Sequence, residues 1–184
     1  MLGETEIKVY ALGAIERIPE YMYIGIVVFL GVGSLFSFLR KGLCDGFRYT
    51  MLLLLLVCVL LILGTSVVFR DSVAESHISL IPLSSYFDYG KNTYLMEKSA
   101  INILNVVMFI PVGLLLGFGF KYISCKKILF AGIGLSVAIE LLQFILKRGL
   151  CETDDVIHNV VGCIIGFAMY KTIIRLIKNV QTLL

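Results

Sequence analysis

Apolar residues in this chain are gathered into runs of about twenty, and this limits its fold more than any other feature. The hydrocarbon core of a bilayer is ~30 Å thick, so a helix rising 1.5 Å per residue crosses it with about 20 predominantly apolar residues. Four stretches meet that requirement, residues 21–39, 49–69, 101–120 and 128–146. A fifth, from 156 to about 177, contains Lys171 and Arg175 near its end, where long side chains snorkel to the interface. The expected fold is therefore all-α, an integral membrane bundle of about five transmembrane helices with one long extracytoplasmic loop. Nothing in the chain reads as a soluble domain.

Composition agrees. Of 184 residues, 59% are hydrophobic and 16% charged, against about 25% charged in a soluble domain. The net charge of +3 is small and dispersed, with no basic stripe interleaved with aromatics, so no nucleic-acid partner is expected. Glu4, Glu6, Glu16 and Glu20 stand where a secretory signal would be basic, and no small-residue cleavage site follows the first apolar run. The five cysteines, Cys44, Cys58, Cys125, Cys151 and Cys163, form no CxxC pair and read as small hydrophobic residues. HExxH, G-x-S-x-G and P-loop motifs are absent and there are only two histidines, His77 and His158. No multi-histidine metal site, cofactor or ATP-driven pump is expected.

The connections are short except for residues 70–100, a polar stretch containing Pro82. Its apolar piece 78–83 is too short to span and fits the interface, with Tyr86, Tyr89 and Tyr94 at headgroup level. The stretch before Pro19 fits a weakly amphipathic interfacial helix. With five spans, three basic groups fall on one side: Arg40, Lys41 and Arg48; Lys121, Lys126 and Lys127; Lys171, Arg175 and Lys178. Such an excess marks the cytoplasmic face. The expected localisation is a plasma membrane, crossed several times, with the N-terminus outside and the C-terminus cytoplasmic. Lys147 and Arg148 oppose that bias.

An ionisable residue within a span is costly and so suggests function. Glu140 lies near the outer end of the fourth run, Asn102 and Asn105 at the start of the third, and His158 and Asn159 at the start of the fifth. Adjacent helices alternate in direction, so these residues share one side and a similar depth. Ser136, Glu140, Gln143 and Lys147 form one helical stripe, and Asp155, Asn159, Gly162 and Gly166 a second; Asn102 and Asn105 share a third with Gly113. Small-xxx-small contacts at Gly113/Gly117 and Gly162/Gly166 turn these faces inward. A plainer account also fits each piece: amides that only bridge helices, Asp154 or Asp155 capping the fifth helix, Glu140 paired with Lys147 or Arg148.

The motifs bring a family into view. Helix three reads Asn102-x-x-Asn105-x-x-x-Phe109-x-Pro111-x-Gly113, after Arg70 and Leu80-Ile81-Pro82-Leu83. Helices four and five read Glu140-x-x-Gln143, Arg148-Gly149, then Glu152-Thr-Asp154-Asp155-x-x-x-Asn159-x-x-Gly162 and Gly166. The order and spacing resemble the VanZ-like family of bacterial membrane proteins over roughly residues 65–170. The resemblance implies matching positions at Arg70, Pro82, Asn102, Asn105, Pro111, Glu140, Gln143, Arg148, Asp155 and Asn159. Glu152 stands where Asp is also common and Leu83 where an aromatic is frequent. The division expected is an N-terminal segment with the first helix, 1–48, and a VanZ-like transmembrane domain, 49–178. The family name comes from a member associated with low-level resistance to teicoplanin, a lipid-tailed glycopeptide.

The resemblance and the polar stripes together lead to an outward-facing intramembrane pocket, roofed by the long loop and built from Arg70, Asn102, Asn105, Glu140, Gln143, Arg148, Asp155 and Asn159. Three functions are compatible with it. One is a protein that binds or handles an envelope lipid, a cell-wall precursor or a lipoglycopeptide, in contact with membrane lipids. Another is an intramembrane enzyme on a lipid-linked substrate, with Glu140 as general base. The third is a small proton-coupled transporter.

Overall fold

The structure is a computed structural model that describes residues 12–13, 16–73, 78–83 and 92–182, with side chains omitted at 92–97. Residues 1–11 and 14–15 of the expected interfacial helix before Pro19, and the positions of His77, Tyr86 and Tyr89, together with the Tyr94 side chain, lie outside the described residues. The architecture is all-helical apart from two short strands.

Helix α1, Glu20–Leu63, starts behind the extended Pro19 and carries Glu20 in its first turn, where the helix dipole favours a carboxylate. As a straight rod its 44 residues would run ~66 Å, over twice the bilayer core. It does not run straight. Gly42 has φ 75° and ψ −179°, a backbone state that side-chain-bearing residues avoid. A Cβ on Gly33 would lie 2.8 Å from Leu53 Cδ1, and one on Gly46 would meet the Phe38 backbone at 2.9 Å. Residues 33 and 53 would be ~30 Å apart on a straight helix. The element is thus a hairpin of two antiparallel arms, 20–41 and 43–63. Four helical stretches among the described residues are long and apolar enough to cross a membrane. Because the first, Glu20–Val68, doubles back, they make five passes.

The second arm continues into a π-helical turn, Gly64–Val68, closed by the Phe69 amide donating to the Gly64 carbonyl at 2.8 Å. Strand β1, Ile78–Ser79, follows. Helix α2, Asn92–Gly119, begins nine residues before the apolar run that announced it and holds Pro111 within it. Helix α3, Cys125–Ile145, is capped by Ser124 Oγ accepting from the Lys127 amide. Strand β2, Cys151–Glu152, lies parallel to β1 with Ile78 opposite Cys151 and Ser79 opposite Glu152. Helix α4, Thr153–Gln181, has Asp154 and Asp155 in its first turn and Lys178 in its last, both favourable to its dipole. Residues 78–83, expected only to lie at the interface, are thus pinned to the α3–α4 connection. Leu80 and Ile81 remain outward, 74% and 70% exposed.

Helices α2 and α4 form the centre. A Cβ on Gly113 would overlap the Cys163 carbonyl, one on Gly162 the Val106 carbonyl, and one on Gly166 the Ile110 carbonyl. Only glycine allows two backbones this close. Phe109, Ile128 and Cys163 fill the space between α2, α3 and α4, each fully buried. At one end the hairpin turn meets the α2–α3 turn: Phe47 packs edge-on to Phe118, Phe118 edge-on to Tyr170, and Lys41 and Arg48 share a cleft with Phe120. The opposite end carries the polar residues.

Candidate functional site

The faces that α2, α3 and α4 turn toward each other are apolar at the basic end and polar at the other. On α3 the buried stripe is Ile128, Gly132, Ser136, Ile139, Glu140 and Gln143, and the helical period brings the last four to the polar end. There they enclose a cavity of about 190 Å³. Lys98, Ile101, Asn105 and Met108 enter it from α2, at one helical stripe. Glu140 and Gln143 enter from α3, Asp155 and Asn159 from α4, and Ser66 and Arg70 from the end of the hairpin.

Each wall is positioned by identifiable bonds. Glu140, 3% exposed, accepts the Glu152 amide on Oε2 at 3.0 Å, which ties the carboxylate to β2. Gln143 Nε2 donates to the Ser66 carbonyl at 2.9 Å. Ser66 sits in the π turn, and such turns recur at functional sites because they release main-chain groups from the regular helical ladder. Asn159 Nδ2 donates to Ser136 Oγ at 2.8 Å. Lys98 is ion-paired with Glu152, both side chains largely buried. The loop is laced down beside them: the Leu83 amide donates to the Asp154 carboxylate, Thr153 Oγ1 to the Ser79 carbonyl at 3.2 Å, and the Val73 amide to the Lys147 carbonyl at 2.8 Å. His158 Nδ1 bonds the Asp154 carbonyl at 2.6 Å, a local helical contact.

Four polar atoms on these walls are buried and have no hydrogen-bond partner among the described residues. They are Asn105 Nδ2, Gln143 Oε1, Asp155 Oδ1 and Asn159 Oδ1. Leaving one such atom unsatisfied costs about 1–3 kcal/mol, so four would cost ~4–12 kcal/mol, comparable with the whole stability of a domain. Grouped on one cavity, they describe a space complementary to polar matter. Three are acceptors and one is a donor, so the complement is richer in donors.

Six of the eight residues singled out from the sequence line this cavity: Arg70, Asn105, Glu140, Gln143, Asp155 and Asn159. Two do not. Asn102, 3% exposed, is one position round from Ile101, and that 100° step takes it off the stripe that faces the cavity. Arg148 was expected to meet Glu140 or a ligand. Lys147, at φ 52°, turns the chain sharply after α3, and the Arg148 guanidinium donates to the Arg70 carbonyl instead, as its own amide does to the Gln143 carbonyl at 2.7 Å. Gly149 follows because the Arg70 guanidinium packs on it: an added Cβ would lie 3.2 Å from Cζ. Arg148-Gly149 thus positions Arg70, which carries the charge into the cavity. Sequence reasoning also passed over Ser66, Lys98 and Glu152 as cavity residues. Lys98 was findable, three and seven residues before Ile101 and Asn105 on one stripe. The Ser66 carbonyl was not, since a π turn leaves no periodic signal.

The chemistry available is hydrogen bonding with charges of both signs. No group of three or more His, Cys, Asp or Glu among the described residues is placed to hold a metal ion. Cys151 beside the cavity is a poor nucleophile: burial, then the Glu140 and Asp155 carboxylates, push its thiol up from its ordinary range.

Fold and cavity define a multi-pass membrane protein with a small polar chamber sunk into one end of a helical bundle. The family model described as VanZ/LLP1 matches residues 49–176, which contain every residue lining that chamber. The chain belongs to this VanZ-like family. Protein VanZ of Enterococcus faecium is 41% identical over 66 residues, which cover 36% of this chain and 41% of that protein. No solved structure matches.

Proposed function

We propose that this chain acts at the cell envelope by binding the polar group of an envelope component in the cavity between α2, α3 and α4. The observation that carries this reading is the convergence of four buried, unpartnered polar atoms on one chamber, contributed by three helices of the matched region. Arg70 supplies the cationic wall, Glu140 and Asp155 the acidic wall, and Asn105, Gln143 and Asn159 orient the bound group.

The three basic clusters support an orientation with their end in the cytoplasm, the N-terminus outside and the cavity on the extracytoplasmic side. A chamber so placed is suited to a component of the outer leaflet or cell wall, and to the low-level teicoplanin resistance associated with the member that gives the family its name.

The test is susceptibility in a sensitive bacterial host expressing the full chain. Expression should raise the teicoplanin concentration needed to stop growth. Glu140→Gln and Asp155→Asn should remove the increase while the proteins still insert at normal level. Full protection by both variants would exclude the cavity as the functional site. Glu140→Gln protein that keeps its ligand but accumulates it unprocessed would mark an enzyme, and protection that collapses with the proton gradient a transporter.

A further inference from the structure

A second and larger space adjoins the cavity on the other face of α2. It is about 660 Å³, apolar, and lies between the second arm of α1 and helix α2. Leu54, Val57 and Leu61 form one wall, and Leu104, Val107 and Leu115 the other. Met108 lines both this groove and the polar cavity. On each element the order is the same. Along the second arm the groove spans 54–65 and the cavity begins at Ser66; along α2 the cavity holds 98–108 and the groove 104–115. The two spaces are thus stacked along the membrane normal, polar at the end and apolar toward the middle, with a flexible methionine thioether between them. Twelve residues of helix on each wall make the groove ~16 Å long, about half of a ~30 Å hydrocarbon core. That is the shape of one lipid in one leaflet.

Resting on the reading above, we propose that the ligand is an amphiphile whose hydroxyl-rich headgroup, a glycosyl or polyol group, enters the polar cavity while its apolar chain lies in the α1–α2 groove. The headgroup class follows from the unpartnered atoms. Gln143 Oε1, Asp155 Oδ1 and Asn159 Oδ1 require donors, and Asn105 Nδ2 requires an acceptor. Sugar or glycerol hydroxyls supply both. A choline headgroup has no N–H or O–H and satisfies none of the three acceptors. Arg70 faces Glu140 and Asp155 across the chamber, so the walls carry both signs and a neutral headgroup suffices. Met108 is the gate residue, unbranched and able to change rotamer as the chain passes from head to groove.

The experiment uses the full chain in nanodiscs of phosphatidylcholine doped with a monohexosyl diacylglycerol of the same acyl chains, with retained lipids counted by native mass spectrometry. Methyl hexoside, the headgroup alone, is titrated separately. Wild type should retain the glycolipid over phosphatidylcholine by about tenfold, the worth of one to two net hydrogen bonds. Asp155→Asn and Asn105→Ala should each reduce that preference severalfold. Val107→Trp, at a half-exposed groove position that tolerates bulk, should expel the glycolipid and leave methyl hexoside binding unchanged. Equal binding of glycolipid and free methyl hexoside would overturn the role of the groove and leave the cavity as the binding site. Equal retention of both lipids by wild type and Asp155→Asn protein would mean annular lipid only and overturn the proposal. Loss of teicoplanin protection in Asp155→Asn together with that result would refute the amphiphile while the cavity-based function stood.

Discussion

The two faces of helix α2 are packed in opposite ways. Toward α4, Gly113 abuts the Cys163 backbone and Gly117 the Tyr170 ring, while Gly162 and Gly166 on α4 abut the Val106 and Ile110 carbonyls, so that three of the four positions leave no room for a Cβ against backbone. Toward α1, Leu104, Val107 and Leu115 meet Leu54, Val57 and Leu61, and these branched side chains hold the helices apart around a groove. Both seams are apolar, so the hydrophobic effect does not distinguish them inside a bilayer. Shape does. Without a solvent-driven preference between protein and lipid, membrane helices associate through close van der Waals contact. The glycine seam provides that contact and the branched seam leaves room for a guest. The first builds the scaffold that presents Glu140, Asp155 and Asn159, and the second supplies a space that can be occupied.

The contrast can be broken most severely at its tight side. Gly166→Leu would drive a side chain into the Ile110 carbonyl and the Leu114 amide. Overpacking costs about 1–3 kcal/mol where side chains can shift; here two backbones would have to part, which breaks the seam itself. The expected outcome is near-complete loss of monodisperse protein in detergent, read by fluorescence-detected size exclusion. A smaller effect is expected at the polar end of the same seam. Lys98→Met removes the partner of Glu152, and breaking a buried pair costs about 3–5 kcal/mol because the remaining charge is uncompensated; with both side chains still partly exposed the lower end applies. The protein should fold with a clearly lowered Tm, partly restored by Lys98→Arg. Next, Asp154→Ala deletes the acceptor for the Leu83 amide, at about 1 kcal/mol. The readout is faster proteolysis around residues 78–83 with the helices intact. The least effect is expected at the loose side, where Val107→Leu, facing an open groove, should move thermal stability by no more than about 0.5 kcal/mol.

The sequence showed more of the scaffold than of the chamber. Apolar runs located every pass, because bilayer thickness imposes their length. Glycine spacing marked the tight seam, since small residues four apart let helices approach closely, and Gly113, Gly162 and Gly166 each abut a backbone carbonyl. The stripe Ser136, Glu140 and Gln143 was legible for the same periodic reason. What did not read through was non-periodic. The π turn that frees the Ser66 carbonyl, the strand pairing of Ile78–Ser79 with Cys151–Glu152, and the turn at Lys147 that sends Arg148 to the Arg70 carbonyl all depend on contacts between distant segments. Family motifs marked Arg148 without revealing that its guanidinium is taken up by the Arg70 carbonyl. The hairpin at Gly42 was visible only as a gap between two apolar runs, while its φ of 75° is what folds one helix into two passes.

A polar chamber that opens at the end of the bundle opposite the basic rim must be reachable from water on that side. Cysteine accessibility tests it directly. In a chain with all five native cysteines replaced, Asn105→Cys and Asp155→Cys would be exposed in intact cells to a small, charged, membrane-impermeant methanethiosulfonate. Gly134→Cys, on the open face of α3 where an added Cβ meets nothing within 4 Å, serves as the lipid-facing control. Asn105→Cys and Asp155→Cys should be labelled from outside the cell and Gly134→Cys should not. Labelling of neither cavity position, or labelling only after the cytoplasmic face is exposed, would contradict this placement of the chamber.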